Sequence, residues 1–196
     1  HLVKAYQDGK VDFSNVTTVN LDEYLGMSPD NPVSYRKCMD NWFFDHVNIK
    51  KENTYVASGL NDPQAEIKTF NQKLYGDKLL DFQLLGVGVS GHIGFNEPSA
   101  VLTAGVHIEE LDESTIQANS RLFDSIDDVP RQAYTMGTQT IMYARMILVV
   151  ANGEAKAQAV HDMCYGPVTP ECPASILQLH TNCVVVADEA ALSLCE

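Results

Sequence analysis

Two short polar segments of the 196-residue chain carry side chains that could move protons. Asp22 lies in LDEY, residues 21–24, and His92 and Glu97 lie in GHIGFNEP, residues 91–98. A histidine exchanges protons near neutral pH, and a nearby carboxylate fixes which ring nitrogen carries the proton. The glycines on either side of His92 let the backbone approach a ligand closely. On these residues alone, an acid–base site and a structural turn with a solvated histidine are equally good interpretations.

The glycines before the histidine also match the G-x-G-x-x-G pattern of dinucleotide-binding loops, with Gly86, Gly88 and Gly91 in the three positions. That pattern requires the third glycine to open a helix, because the helix N–H groups hold the pyrophosphate. Here Gly94 and Pro98 follow within two possible helical turns, and both residue types oppose a helix. We therefore reject a dinucleotide site.

The elements that must position these segments alternate along the chain. Apolar runs predict strands at residues 16–21, 82–87, 133–136, 146–150 and 183–187. Helices are predicted at residues 1–9, from about 34, from the Asp62-Pro63 pair, at 138–143 and at 154–164. Continuous Val, Ile and Leu runs between helices indicate a parallel sheet covered on both faces. We expect an α/β fold, a three-layer α/β/α open sheet that is mostly parallel and Rossmann-like.

Both polar segments follow predicted strands, and ligands of open parallel sheets bind beyond the carboxyl ends of the strands. The helix from about residue 34 would place Tyr35, Met39 and Trp42 on one apolar stripe. With no linker in the sequence, we expect a single domain over residues 1–196. Because the chain opens on what reads as the end of a helix, we also expect it to be N-terminally truncated.

Composition excludes several classes of protein. The chain has 13 Lys and Arg against 26 Asp and Glu, a formal charge of −13, which argues against nucleic acid as a partner. The longest apolar run, residues 146–151, is too short to cross a bilayer. Five cysteines without a CxxC pair predict neither a disulfide framework nor a zinc site, but thiols in a reducing cytoplasm.

Several motifs together resemble the glucosamine-6-phosphate deaminase family. They are LDEY, GHIGFNEP, ANSR at 118–121, GEAKA at 153–157 and PASILQLH at 173–180, in the order and at the separations of that family. The related 6-phosphogluconolactonases carry a different run after the histidine. The resemblance implies conversion of glucosamine 6-phosphate and water to fructose 6-phosphate and ammonia, without a metal ion or an organic cofactor.

The resemblance also implies roles for individual residues. Asp22 would be the base that moves a proton between C2 and C1 of the opened sugar. His92 would transfer the proton that opens the ring, with Glu97 orienting it. The remaining implied residues would bind substrate: Arg121, Lys156 (on the phosphate), Gly88, Ser90 and Gly91. Without the resemblance, Arg121 and Lys156 would be read as solvated surface cations.

The chain also departs from the family pattern. We expect that the family's first strand and its phosphate-holding loop are not among these residues. Ser90 stands where other members carry an aspartate or an asparagine. His107 and Glu109 occupy a region that is basic in members regulated by N-acetylglucosamine 6-phosphate, so we predict no such regulation. Three alternatives stay open, namely a 6-phosphogluconolactonase, another hexosamine-phosphate isomerase and a catalytically silent sugar-phosphate sensor. The sequence also leaves open whether the protein is a monomer or a homo-oligomer.

Overall fold

The computed structural model describes residues 1–74 and 80–195. Its strands are β1 (Thr18–Val19), β2 (Asp22–Tyr24), β3 (Thr54–Tyr55), β4 (Gln83–Leu85), β5 (His107–Glu110), β6 (Gln132–Thr135), β7 (Ile147–Ala151) and β8 (Cys183–Ala187). Its α-helices are α1 (Leu2–Gln7), α2 (Tyr35–Trp42), α3 (Pro63–Leu74), α4 (Glu113–Asn119), α5 (Thr138–Met142) and α6 (Ala157–Tyr165). Short 3₁₀ helices cover Phe44–His46, Lys51–Asn53, Ser120–Leu122, Ile126–Asp128, Glu154–Lys156 and Pro173–Leu179.

The helix starts follow from side-chain caps. The Ser34 hydroxyl accepts the backbone N–H of Lys37 at 3.0 Å, and the Asp62 carboxylate accepts that of Ala65 at 3.0 Å. Each cap satisfies one of the N–H groups that a helix leaves unpaired in its first turn. The predicted starts of α2 and α3 are thereby confirmed. The stripe predicted for α2 is wrong at its end, because the Trp42 side chain is 78% exposed.

The α/β, mostly parallel architecture is confirmed. Among the described residues, β1 pairs with β3 in parallel, and β4, β7 and β8 form a parallel sheet in the order β4–β7–β8. The strand predicted at 133–136 is different: it is β6, the centre of an antiparallel sheet ordered β2–β6–β5. Ala133 and Tyr134 are fully buried, and burial on both faces gives a continuous apolar run whichever way the neighbours lie.

Two predicted strands are shorter in the structure than in the sequence reading. Residues 16–21 form only the two-residue β1, and Asp22 opens the separate strand β2 instead of a loop. The strand predicted at 82–87 is limited to β4, after which the backbone enters the glycine-rich loop. The helix predicted from Glu154 begins as a 3₁₀ turn before it becomes α6.

The main core lies between the parallel sheet and its helices. Ile147 and Val149 of β7 are fully buried there, together with Phe70 of α3 and Val160 of α6. A second cluster, which includes Tyr24, Phe95 and Ile116, joins β2 to the glycine-rich loop and α4. Among the described residues no helix is long and apolar enough to cross a membrane.

Within residues 1–74 and 80–195, one face of the parallel sheet is not covered, contrary to the expectation from its sequence. Leu84, Leu148 and Val184 are neighbours in the β4–β7–β8 register, and Val150 and Val186 follow two residues further on. These five residues share one face because side chains alternate along a strand. Leu84, Val150, Val184 and Val186 are each exposed, so this face of the sheet is open in the described part of the chain.

We expect this open face to bind apolar dyes. A Leu84→Lys, Val186→Lys double variant of the 196-residue chain should lower the fluorescence of bound anilinonaphthalene sulfonate and raise solubility. Its free energy of unfolding should change by less than about 1 kcal/mol, because exposed side chains contribute little. Leu60→Lys, at an exposed leucine outside this sheet, is the control and should leave dye binding unchanged. Unfolding of the double variant would contradict the assignment.

Candidate active site

The two polar segments picked out in the sequence meet at one cavity of about 270 Å³. Asp22 enters it from the start of β2, His92 from the loop after β4, and Lys156 from the turn before α6. The remaining lining comes from Tyr35, Gly88, Val89, Gly94, Phe95, Ser114, Thr115, Ala118, Asn119 and Arg121. Acid–base groups and basic side chains therefore line the same cavity.

The glycine-rich loop is held against β6, the strand that also pairs with Asp22. The Asn96 side-chain amide donates to the carbonyls of Ile93 at 2.7 Å and Met136 at 2.8 Å. The Phe95 N–H donates to the Thr135 hydroxyl at 3.0 Å, and Thr135 is the register partner of Asp22. No helix follows Gly91 in the described loop, in agreement with the rejection of a dinucleotide site.

Gly94 is required where the loop passes β6. Its φ is +58°, and a Cβ there would lie 2.9 Å from the Thr135 hydroxyl oxygen. Both the left-handed backbone and the close approach exclude larger residues. Gly94 thereby lets the histidine loop pass close to the strand end that carries Asp22.

One ring nitrogen of His92, Nδ1, contacts polar side chains, and the other, Nε2, lies against Gly88. Its Nδ1 lies 3.0 Å from Glu97 Oε2, 3.2 Å from Ser90 Oγ and 3.5 Å from Thr115 Oγ1. A carboxylate on Nδ1 makes that nitrogen the N–H donor, which leaves Nε2 as the lone-pair site. A Cβ at Gly88 would overlap Nε2, so Gly88 provides the space for the imidazole.

Glu97 is only 4% exposed, and within the described residues its second oxygen, Oε1, has no hydrogen-bond partner. A buried carboxylate with one oxygen hydrogen-bonded to a histidine and the other oxygen unpaired lowers the stability of the fold. That cost is consistent with a functional role for the His92–Glu97 pair. Tyr35 and Thr115 reach the same cavity, and sequence reading missed both. The sequence pattern places Tyr35 on an apolar stripe, and a threonine in a short helix gives no distinguishing signal.

The environment of Asp22 raises the pKa of its carboxyl group into the neutral pH range. Burial, and to a smaller extent the charge of Glu23, raise the pKa of Asp22 to about 7. Burial likewise raises the pKa of the nearby Tyr24 to about 12, so that its phenol stays protonated. A carboxylate with a pKa near 7 is half ionised at physiological pH and can both take up and return a proton.

Two basic side chains line the cavity. Lys156 donates from Nζ to the Val87 carbonyl at 2.7 Å, and burial lowers the pKa of its ammonium. Arg121 follows α4 and is mostly exposed, with its Nε donating to the Ala118 carbonyl at 3.2 Å. Both leave further N–H groups free to bind an anion, which suits a phosphate.

The other residues named from the sequence lie close by but not on the cavity wall. Ser90 contacts His92 Nδ1, and Gly91, with a φ of +83°, packs against the Cys172 thiol. Neither lines the cavity itself. His107 and Glu109 pair with each other at 2.8 Å on β5. All five cysteines are free thiols, and the described residues contain no cluster that could hold a metal ion.

Comparison with known proteins agrees with these geometric findings. A sequence model of the family described as glucosamine-6-phosphate isomerases/6-phosphogluconolactonase matches residues 1–186. The glucosamine-6-phosphate deaminase of Clostridium perfringens strain 13 is 48% identical over 194 residues, which are 98% of this chain and 80% of that protein.

Solved structures give the same result. A monomeric glucosamine-6-phosphate deaminase superposes with a TM-score of 0.95 at 42% identity, covering 98% of this chain and 80% of that one. The 6-phosphogluconolactonase of Thermotoga maritima has a TM-score of 0.71 at 13% identity, covering 95% of this chain and 80% of that one, and at this identity the match shows the fold. The resemblance inferred from the motifs is confirmed, and the chain belongs to the glucosamine-6-phosphate isomerase/6-phosphogluconolactonase family.

Proposed function

We propose that this chain isomerises and deaminates glucosamine 6-phosphate, giving fructose 6-phosphate and ammonia. The observation that carries the proposal is one cavity holding Asp22, with its pKa raised to about 7, and His92, whose Nδ1 is bound by Glu97. Relatives named for this reaction, at 44–48% identity over nearly the whole chain, support it.

The chemistry assigns one proton transfer to each group. Nε2 of His92 takes the proton of the C1 hydroxyl and delivers it to the ring oxygen as the bond between C1 and that oxygen breaks, which opens the pyranose to the aldehyde. The Asp22 carboxylate then removes the proton from C2, which is weakly acidic beside the aldehyde, and an enolamine forms. Protonated Asp22 returns the proton to C1, giving an imine at C2. Water adds to that carbon and ammonia leaves.

The cations hold the substrate in place for these steps. We assign the phosphate to Lys156 and Arg121, because a dianion approaching a protein of charge −13 needs local positive groups. Gly88 lines the cavity and is proposed to contact the substrate, whereas Ser90 and Gly91 do not line it and are proposed to act through the loop that carries His92. Sugar-phosphate chemistry and five free thiols support a cytoplasmic location.

The test is ammonia release from glucosamine 6-phosphate, measured beside hydrolysis of 6-phosphogluconolactone. The assay uses the 196-residue chain and a version extended at its N-terminus by the corresponding segment of the Clostridium perfringens relative. Asp22→Asn should lower ammonia release by about a hundredfold to ten-thousandfold, the usual contribution of a general base. Lactone hydrolysis without ammonia release would favour the lactonase alternative. Binding of the sugar phosphate with no turnover in either version would favour a sensor.

Two glycines of the loop provide a matched pair for His92. Gly88→Ala should lower kcat by about tenfold or more, because the new methyl group displaces the imidazole from its contact with Glu97. Gly86→Ala should retain nearly full activity, because a Cβ there meets no atom within 4 Å. Steady-state kinetics of both variants make the comparison. Equal activity of the two would contradict the role given to Gly88.

The raised pKa of Asp22 predicts opposite effects of pH on activity and stability. The base works when ionised, so kcat/KM should rise about tenfold per pH unit below pH 7 and level off above it. The folded state binds this proton more tightly than the unfolded chain, so stability is lost as pH rises from about 4 to about 7. Asp22→Asn should therefore have a higher Tm than the original chain at pH 8 but not at pH 4. Calorimetry at both pH values measures the difference in Tm between Asp22→Asn and the original chain. The same difference at pH 8 and at pH 4 would contradict the raised pKa of Asp22.

A further inference from the structure

The mechanism leaves one buried carboxylate beside the site unused. Glu23 lies between Asp22 and Tyr24 in β2, pairs through its backbone with Tyr134 of β6, and is only 2% exposed. Glutamate is rarely buried to this extent unless its oxygens are satisfied. Its contacts therefore indicate what it does.

The Glu23 carboxylate joins its own strand to helix α2. Oε1 accepts the Tyr24 N–H at 2.9 Å, and Oε2 accepts the Arg36 N–H in the first turn of α2 at 3.1 Å. The first-turn N–H groups of a helix have no partner within the helix, and a negative charge is favourable there. Arg36 is fixed on its other side by Asp40 and by Thr54. The strand end and the helix start are thus connected through one side chain.

That connection holds the part of the cavity wall that Tyr35 forms. Tyr35, the first residue of α2, lines the cavity and stacks on Tyr24 with ring centroids 5.5 Å apart and planes 13° apart. Asp22 lies at the other end of the same three-residue strand. A change in the Glu23 contact would therefore move Tyr35 relative to Asp22. We infer that Glu23 is a positioning residue for the proposed reaction, joining the strand of Asp22 to α2 and placing a negative charge beside the base.

The charge adds to the geometric role. Burial and the Glu23 carboxylate together raise the pKa of Asp22 to about 7. The other titratable and charged groups around Asp22 are Tyr24 on its own strand, Tyr35 of α2, His92 of the glycine-rich loop, Arg121 after α4 and Lys156 before α6. Tyr24 and Tyr35 stay neutral, and the positive charges of Arg121 and Lys156 act in the direction opposite to that of Glu23.

The test is Glu23→Gln, which keeps the size of the side chain and removes its charge. The acidic limb of the kcat/KM profile should move to lower pH by roughly half to one unit. Glu66→Gln is the matched control: Glu66 is 3% exposed and accepts hydrogen bonds from Tyr55, Ser58 and Asn61. Because Glu66 makes these contacts away from the cavity, Glu66→Gln should have a lower Tm but an unchanged acidic limb in its kcat/KM profile. An unmoved limb in Glu23→Gln overturns the inference.

A second readout separates this inference, which rests on the proposed function, from that function itself. Carbon-13 NMR titration of Asp22 without substrate should give a lower pKa in Glu23→Gln than in the original chain, whether or not the chain is active. Should Glu23→Gln fail to fold, Glu23→Asp is compared with Glu66→Asp, which makes the same shortening at equal burial. Positioning predicts a loss of kcat at least tenfold larger in Glu23→Asp at a similar change in Tm. Equal losses would overturn it.

Discussion

The site depends on the antiparallel pairing of β2 with the buried strand β6. Thr135 of β6 is the backbone partner of Asp22, and its hydroxyl accepts the N–H of Phe95 from the histidine loop. One residue therefore fixes both segments that carry acid–base groups, and Gly94 removes the side chain that would hold them apart. These strands are very short, so their geometry depends on the burial of β6 more than on their own hydrogen bonds.

The same arrangement concentrates negative charge where water is scarce. Asp22, Glu23 and Glu97 lie close to the second apolar cluster, and a buried carboxylate costs stability unless it is neutralised or hydrogen-bonded. Each carboxylate meets that cost differently. Asp22 keeps a proton up to a higher pH, and Glu97 pairs with His92. Burial also raises the pKa of Glu23, but the backbone N–H groups that its carboxylate accepts oppose that rise. The environment thus separates three chemically similar groups into a base, a positioning group and an orienting group.

Local chemistry made much of the fold predictable from the sequence. Ser34 and Asp62 predict helix starts because their own side chains cap the helices. The apolar run at 183–187 forms β8, as expected. The antiparallel direction of β6 and the strand β5 were not predictable in this way. A strand buried on both faces has the same apolar pattern in either direction, and HIEE in β5 has no apolar run.

The site residues also divide into those that local sequence predicts and those that only tertiary packing brings together. His92 and Glu97 are five residues apart in one loop, so the sequence itself brings them together, whereas Tyr35 and Thr115 reach the cavity only through tertiary packing. The open face of β4–β7–β8 was missed for a related reason. An apolar strand pattern indicates a face that can be buried, and it does not say what covers that face.

The glycines of the loop show why a motif needs its structural context. Gly86, Gly88 and Gly91 have the spacing of a dinucleotide fingerprint, in which glycines clear space for a pyrophosphate at a helix start. In this chain Gly88 clears space for an imidazole, and Gly91 turns the backbone with a φ of +83° beside Cys172. Both loops need glycine because a side chain would occupy the space of another group. In a dinucleotide-binding loop that group is the ligand's pyrophosphate, whereas here it is the imidazole of His92. With Glu97, Ser90 and Thr115 all around Nδ1, the loop leaves Nε2 of His92 as the nitrogen that can exchange a proton.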